Sequence, residues 1–365
     1  MEKPVITETE DDQKIAESIN DNSILKPGVL LADNVSTYSV TPNMISEARQ
    51  VIQNDKTIPI FWRGKIKRNM FQIQTFYYVK PDKYEREICK NWNLFFKRNK
   101  NNFFKDRLWI QHEFTDLTVP KTCSPNSQQK LCTSTQCQHC SSTCFILDVG
   151  CGVGNAIIPI LEKNPQAHAS CFDCSPYAIE LLKKRWSSIV SNYTATCDSD
   201  KSSSQNNLLQ NSTSPSLGTL FCAEAFDILS GPIPQHFYLP VGTDYVLLLF
   251  VLSALPPTSF HTVLNTIKNV VRPGGIIFFR DYALFDMTQI RFAKSKQAQL
   301  RSNFYVRQDS TLAYYFTREE VFNLFCNDGN FECLENTYIL KQMKNRKTEQ
   351  VLKRIWIQAK FKKKN

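Results

Sequence analysis

Ten consecutive residues constrain the fold more than any other part of the chain: Ile146-Leu147-Asp148-Val149-Gly150-Cys151-Gly152-Val153-Gly154-Asn155. Phe145–Val149 is a short apolar run bounded by turn residues and reads as a buried strand. Three glycines at alternate positions follow, and the apolar stretch from Ala156 to Leu161 opens a helix. Gly150, Gly152 and Gly154 let the backbone turn sharply and approach a ligand closely. A pyrophosphate-binding loop prefers the longer G-x-G-x-x-G spacing. The tighter G-x-G-x-G, with Asp148 just ahead of it, favours S-adenosylmethionine over a dinucleotide. Ala169–Asp173 is the next strand. Asp173 at its end is placed to accept hydrogen bonds from ribose hydroxyls, a feature that dinucleotide enzymes share.

The alternation continues down the chain. Ser175 reads as an N-cap with Pro176 at the first helical position, opening a helix to about Ile189. Phe221–Glu224 is a third strand candidate, with Glu224 and Ala225 at its end. Tyr245–Leu252 reads as a strand, Thr258–Val271 as a helix, Arg272–Gly275 as a turn and Ile276–Asp281 as a strand. Strand and helix in repetition mean a parallel sheet covered on both faces. Asn303–Phe316 then alternates like a β-hairpin around Gln308–Ser310. Thr317 and Glu320 form a capping box for a helix over Glu319–Cys326, and Arg354–Phe361 is a last strand. The expected fold is α/β: a class I methyltransferase (Rossmann-like) parallel sheet with a C-terminal antiparallel hairpin, preceded by a basic helical extension.

Charge is unevenly spread along the 365 residues. Trp62–Arg107 holds 13 Lys/Arg against four Asp/Glu, interleaved with aromatic residues, and the net charge of the whole chain is +10. Lysine and arginine neutralise phosphates and rings stack on exposed bases, so this block is a candidate nucleic-acid surface. Tyr84, Ile88, Trp92 and Phe95/Phe96 within it fall at helical spacing. The longest apolar run, Tyr245–Leu252, is far short of the roughly 20 residues of a membrane span. The acidic start suits neither a secretory signal nor a transit peptide, so cytosol or nucleus is the expected compartment and no membrane partner is expected. Residues 1–56 read as a flexible extension, 57–118 as a basic aromatic region and 144–365 as the catalytic domain. Two polar inserts, 119–143 and 197–217, interrupt the pattern, the second expected to be disordered. Cys132, Cys137, Cys140 and Cys144, with His139 and Cys123, raise the question of zinc. A zinc site would repeat the Cys137–Cys140 pair about 12–20 residues away; it is not repeated, and no metal is expected.

Several blocks resemble the tRNA N3-methylcytidine methyltransferases, which modify cytosine 32 of the anticodon loop. They are NWNLFFKRNKNNFFKDRLWIQHEF (91–114), LDVGCGVGN (147–155), CFDCSPYAIE (171–180), LLFVLSALPP (248–257), VVRPGG (270–275), FFRDYALFDMTQIRF (278–292) and NFYVRQDSTLAYYFT (303–317). With their connections they cover most of residues 84–361. The glycine loop is common to many methyltransferases; the KRN…FFKDR, FRDY and NFYVRQD blocks are far more specific. The resemblance implies cofactor contacts at Trp92, Phe96, Gly150, Asp173, Glu224, Ala225 and Leu249. Phe96 stands where the family usually has tyrosine, and Glu224 where it usually has aspartate. Serine or threonine tRNAs, and a helper such as seryl-tRNA synthetase, are the partners the resemblance allows.

Cytosine N3 carries a free lone pair and needs no general base, but its product is a cation. Catalysis then rests on positioning and on negative charge near the base. Asp281, at the carboxyl end of a strand, is the candidate carboxylate, with Arg280 and Tyr282 placed to orient a phosphate and stack the base. Arg63, Lys65, Lys97, Arg98, Lys105, Arg107 and Arg307 are the candidate RNA contacts. Two other readings stay open at this point: methylation of a small molecule or protein, and a non-catalytic RNA-binding subunit with a methyltransferase fold.

Overall fold

The computed structural model describes residues 81–117, 143–201, 217–293, 298–344 and 351–365. The expected N-terminal extension, residues 57–80 and most of both polar inserts lie outside the described residues.

The basic aromatic stretch forms two helices, α1 (Pro81–Arg86) and α2 (Ile88–Asn99), followed by the short α3 (Ile110–Glu113). The glycine-loop region supplies β1 (Cys144–Val149), α4 (Ile157–Lys163) and β2 (Ala167–Asp173). Ser175 then caps α5 (Pro176–Lys201), its Oγ accepting the Ala178 N–H at 3.1 Å. This helix runs on to Lys201, well past Ile189, so the first five residues of the segment expected to be disordered are helical. β3 (Thr219–Ala225), β4 (Thr243–Leu249), α6 (Phe260–Val270) and β5 (Val271–Tyr282) complete the alternation. β4 is buried at every position, which explains why its sequence is a continuous apolar run rather than an alternating one: a parallel strand covered on both faces has no wet side.

After β5 come α7 (Met287–Ala293), β6 (Gln299–Arg301), β7 (Phe304–Val306), β8 (Leu312–Tyr314), α8 (Arg318–Cys326), β9 (Phe331–Lys344) and β10 (Val351–Lys363). The capping box is complete. Thr317 Oγ1 accepts the Glu320 N–H at 3.0 Å, and the Glu320 carboxylate takes both the Thr317 N–H and the Tyr314 hydroxyl. The expected hairpin pairs Phe304 with Tyr314 and Val306 with Leu312. It belongs with β6 to a separate three-stranded sheet, while the main sheet runs β3-β2-β1-β4-β5-β10-β9. β1 pairs in parallel with β2 and β4, and β2 in parallel with β3. β9 escapes a reading of the sequence because it is an edge strand whose described residues are mostly half-exposed, with polar side chains breaking up Phe331, Leu334 and the short run Tyr338–Leu340.

The chain divides into two compact units. The glycine-loop unit comprises Cys89–Leu249, His261–Phe278 and Lys362–Asn365. Its core is built on the fully buried Leu147, Ala167, Cys171, Val246–Leu248 and Phe278. Of the described residues, the other unit takes those from Pro81 to Ile88, Phe250–Phe260 and Phe279–Phe361. Its core is aromatic: Phe325 stacks on Phe361 at 4.2 Å between centroids, and Phe316 packs on Phe260 and Phe279. Among the described residues no helix is long and apolar enough to cross a membrane.

Candidate active site

In the glycine-loop unit, Gly150, Gly152 and Gly154 adopt φ of +65°, +55° and +84°, the left-handed region that side chains resist. Asp173 holds this loop to the end of β2. Its Oδ2 accepts the Gly152 N–H and its Oδ1 the Ser175 N–H, each at 2.9 Å. Burial pushes the Asp173 carboxyl up to about 6, against the pull of these two amides. Asp148 is buried too, and desolvation raises its carboxyl to about 7, opposed by the positive charge of Arg107. Its Oδ2 has no hydrogen-bond partner among the described residues.

The basic aromatic block packs on that loop. Phe96 is buried, and a Cβ added to Gly152 would come within 3.1 Å of its Cζ. Trp92 and Phe104 pack against the cluster of Phe95, Phe96, Val153 and Ala178. Asn93 Oδ1 accepts hydrogen bonds from Ser175 Oγ and Tyr177 N, joining α2 to the start of α5. Arg185 donates to the Val153 carbonyl at 2.6 Å and pairs with Asp106 at 2.8 Å. Asp106 in turn accepts from Asn155 Nδ2 at 2.9 Å. Residues 104–107 thus form a strap over the glycine loop, with Asp106 anchored by partners 49 and 79 positions away in sequence.

Ala225 lies opposite Asp173 in the β2–β3 register. Glu224 is exposed and pairs with His236 at 3.2 Å. Leu249 ends β4 buried, and its carbonyl accepts from Arg107 Nη1 at 3.4 Å. Arg107 therefore does not stand on an open RNA-facing surface, as its sequence neighbours suggested. Its backbone N–H bonds to the Asn155 carbonyl, which brings the side chain beside the buried Asp148 charge.

In the other unit, Asp281 is fully buried. Its Oδ2 accepts the Ser253 N–H and its Oδ1 the Tyr282 N–H, each at 2.9 Å. Desolvation raises its carboxyl to about 6, with Ser253, Tyr282 and Arg307 opposing. Tyr282 is half-buried in an aromatic and cationic cluster. Phe250 and Tyr315 lie 5.1 and 5.8 Å from its ring, and the guanidiniums of Arg307 and Arg354 5.3 and 5.4 Å from its centroid. Arg354 is held by Asp286 at 2.8 Å. Arg280 corrects an expectation: it has no exposed surface, bonds Gln358 and lies over Trp356. Neighbouring strand residues point to opposite faces, so Arg280 and Asp281 cannot serve one site, and a fully buried guanidinium does not reach a phosphate. Phe250, Trp356, Arg354 and Asp286 were missed from sequence. The one local signal was an aromatic at the end of β4, which turns out to hold φ +62°.

A family model described as a methyltransferase domain matches residues 147–277. Human tRNA N(3)-cytidine methyltransferase METTL6 is 36% identical over 297 residues, covering 81% of this chain and 87% of that one. Its counterpart METTL2 from Xenopus tropicalis is 31% identical over 316 residues, covering 81% and 83%. The chain belongs to the tRNA N(3)-cytidine methyltransferase family. Among solved structures, an S-adenosylmethionine-dependent methyltransferase from Anabaena variabilis aligns at TM-score 0.46 and 14% identity, covering 76% of this chain and 95% of that one.

As a member of this family the protein is an enzyme whose cofactor is S-adenosylmethionine, and the glycine loop fits that molecule. The cofactor carries an ammonium and a sulfonium, and the partnerless buried Asp148 Oδ2 is an acceptor in need of a donor or a cation. Asp173 takes the Gly152 and Ser175 amides and the Cys174 thiol, and a carboxylate with about four lone-pair sites keeps one acceptor site to spare. Of the remaining basic candidates, Lys97, Arg98 and Lys105 are exposed on α2 and the strap. Arg307 is half-buried on Tyr282 and donates to Thr311 at 3.4 Å; Arg63 and Lys65 lie outside the described residues.

Proposed function

We propose that the protein transfers the methyl group of S-adenosylmethionine to N3 of cytidine 32 in the anticodon loop of serine or threonine tRNAs, in the cytosol or nucleus, with seryl-tRNA synthetase as a helper. The observation that carries this reading is the cluster around Tyr282. In a chain of this family, a half-buried tyrosine flanked by two arginines and a buried carboxylate suits a nucleobase that gains positive charge.

When bound, the cofactor supplies an electrophilic methyl on sulfur. The work of the chain is to hold and to stabilise. Asp148 and Asp173 hold the cofactor, with the aromatic residues of α2 closing over the glycine loop. Tyr282 stacks the splayed-out cytosine, offsetting an unstacking cost of a few kcal/mol, and the arginines beside it grip the flanking backbone. Asp281 holds its negative charge through the Ser253 hydroxyl and the Ser253 and Tyr282 amides rather than through an arginine ion pair, so that charge is available to the cationic base. Lys97, Arg98 and Lys105 meet tRNA phosphates.

Nucleoside mass spectrometry of tRNA incubated with purified protein and cofactor, with and without seryl-tRNA synthetase, tests the reading. The expected product is 3-methylcytidine, gained at position 32. Transfer to a protein or small molecule with none to tRNA would overturn it.

A further inference from the structure

Cys89 and Cys174 meet beside the glycine loop although they are far apart in sequence. Cys89 is in the first turn of α2, and Cys174 directly follows Asp173 at the end of β2. Both are half-buried, and neither is in a disulfide. Asn93, one turn after Cys89 on the same face of α2, accepts hydrogen bonds from Ser175 Oγ at 2.9 Å and from the Tyr177 N–H at 3.2 Å. The face carrying Cys89 is thereby seated on the turn carrying Cys174, and the two thiols are hydrogen-bonded to each other. Trp92 and Phe96 continue that face at helical spacing, and Phe96 packs on Gly152.

We propose that Cys89 and Cys174 are an oxidation site, which hydrogen peroxide converts to a disulfide that pins α2 over the cofactor loop. The hydrogen bond to Cys89, burial and the Asp173 charge keep the proton on Cys174, so Cys89 meets the peroxide first. Its sulfur takes one peroxide oxygen as a sulfenic acid, and its proton leaves with the departing hydroxide as water. The Cys174 sulfur then displaces hydroxide from Cys89, and its own proton completes a second water. Two thiols have lost two electrons, and one peroxide has become two waters. The bond fixes the start of α2 to the β2–α5 turn, and a cofactor beneath Trp92 and Phe96 then leaves slowly, because α2 no longer lifts. Disulfides in a reducing compartment are usually transient and redox-sensing; reduction by a thiol reverses this one. The consequence rests on the cofactor contacts expected of Trp92 and Phe96, and not on the nature of the methyl acceptor.

The test treats the full-length protein with hydrogen peroxide, alkylates the remaining thiols and digests without reduction. Mass spectrometry should find a peptide pair joined through Cys89 and Cys174. Release of bound radiolabelled S-adenosylmethionine is then followed after dilution. Oxidised wild type should release it several-fold more slowly than reduced wild type, and dithiothreitol should restore the rate. The chain has 13 cysteines, so C89S is the control. It should form no such pair and release cofactor at the reduced wild-type rate before and after peroxide. Weaker cofactor binding by W92A checks separately that the cofactor lies beneath α2. Absence of the joined pair, equal slowing in C89S, or an unchanged release rate in protein carrying the bond would overturn the proposal.

Discussion

Asp281 Oδ2 accepts the amide proton of Ser253 at 2.9 Å, tying the end of β5 to the 3-10 turn Leu252–Ala254 that follows β4. The same carboxylate takes the Tyr282 amide with its other oxygen. Viewed as a charge deletion alone, Asp281→Asn keeps the shape of the side chain and one acceptor oxygen and would leave stability unchanged. The structure changes that expectation, because an asparagine amide must turn its NH₂ toward one of two backbone N–H donors. We expect Asp281→Asn to cost about 1–3 kcal/mol of stability, the scale of one unsatisfied buried donor, and to slow turnover about 100-fold. Cofactor affinity should hold. At saturating cofactor the wild-type rate should rise as pH passes about 6, where Asp281 ionises, and the variant should lose that limb. A variant with the wild-type pH profile and near-normal rate would remove Asp281 from the chemistry.

Asp148 and Asp173 titrate at about 7 and about 6 in the folded chain, above the ordinary carboxyl value of 3.8. Between those values the folded state binds more protons than the unfolded state. Their contribution to stability is therefore present at low pH and lost as pH rises from about 4 to about 7. Thermal melting of Asp148→Asn across this range should lose less stability than wild type on going upward. Cofactor affinity should move the other way in wild type, since its cationic groups favour the ionised carboxyls. Parallel melting curves for the two proteins would show that Asp148 is not the buried, raised group described here.

Asp173→Ala should weaken S-adenosylmethionine binding by about 1.5–3 kcal/mol, the range for hydrogen bonds to a charged group. It should also destabilise the protein, because the Gly152 and Ser175 amides lose their acceptor. Titration calorimetry beside a melting curve reads both. Unchanged affinity in a folded variant would sink the ribose assignment.

Lys97 and Arg98 are exposed in the last turn of α2. Replacing both with alanine should lower the slope of log tRNA affinity against log salt by about 0.7–0.9 for each true phosphate contact, with cofactor binding intact. An unaltered slope would assign the pair to a solvated face. Arg107→Ala should behave differently, disturbing Asp148 and the cofactor more than the salt slope.

What the sequence determined by itself was local. The strand–glycine–helix turn, the Ser175 and Thr317 caps and the β7–β8 hairpin depend on the steric preferences and hydrogen bonds of residues within a few positions, so a short window contains their cause. Asp173 was legible because a strand end and its acid belong to one such window. The destinations of charged side chains were not. Arg107 and Arg98 sit in one basic block, yet Arg107 turns toward the carbonyl of Leu249, 142 positions away, and Arg98 stays on the surface. Strand alternation already required Arg280 and Asp281 to face opposite ways, but only packing decided that Arg280 would bond Gln358 and Asp281 the amide of Ser253. The pairing of Glu224 with His236 and the stacking of Arg354 on Tyr282 join residues that no shared periodicity connects. Tertiary structure alone decided these contacts, because burial makes a charge seek a partner and the topology of the sheet determines which partners come within reach.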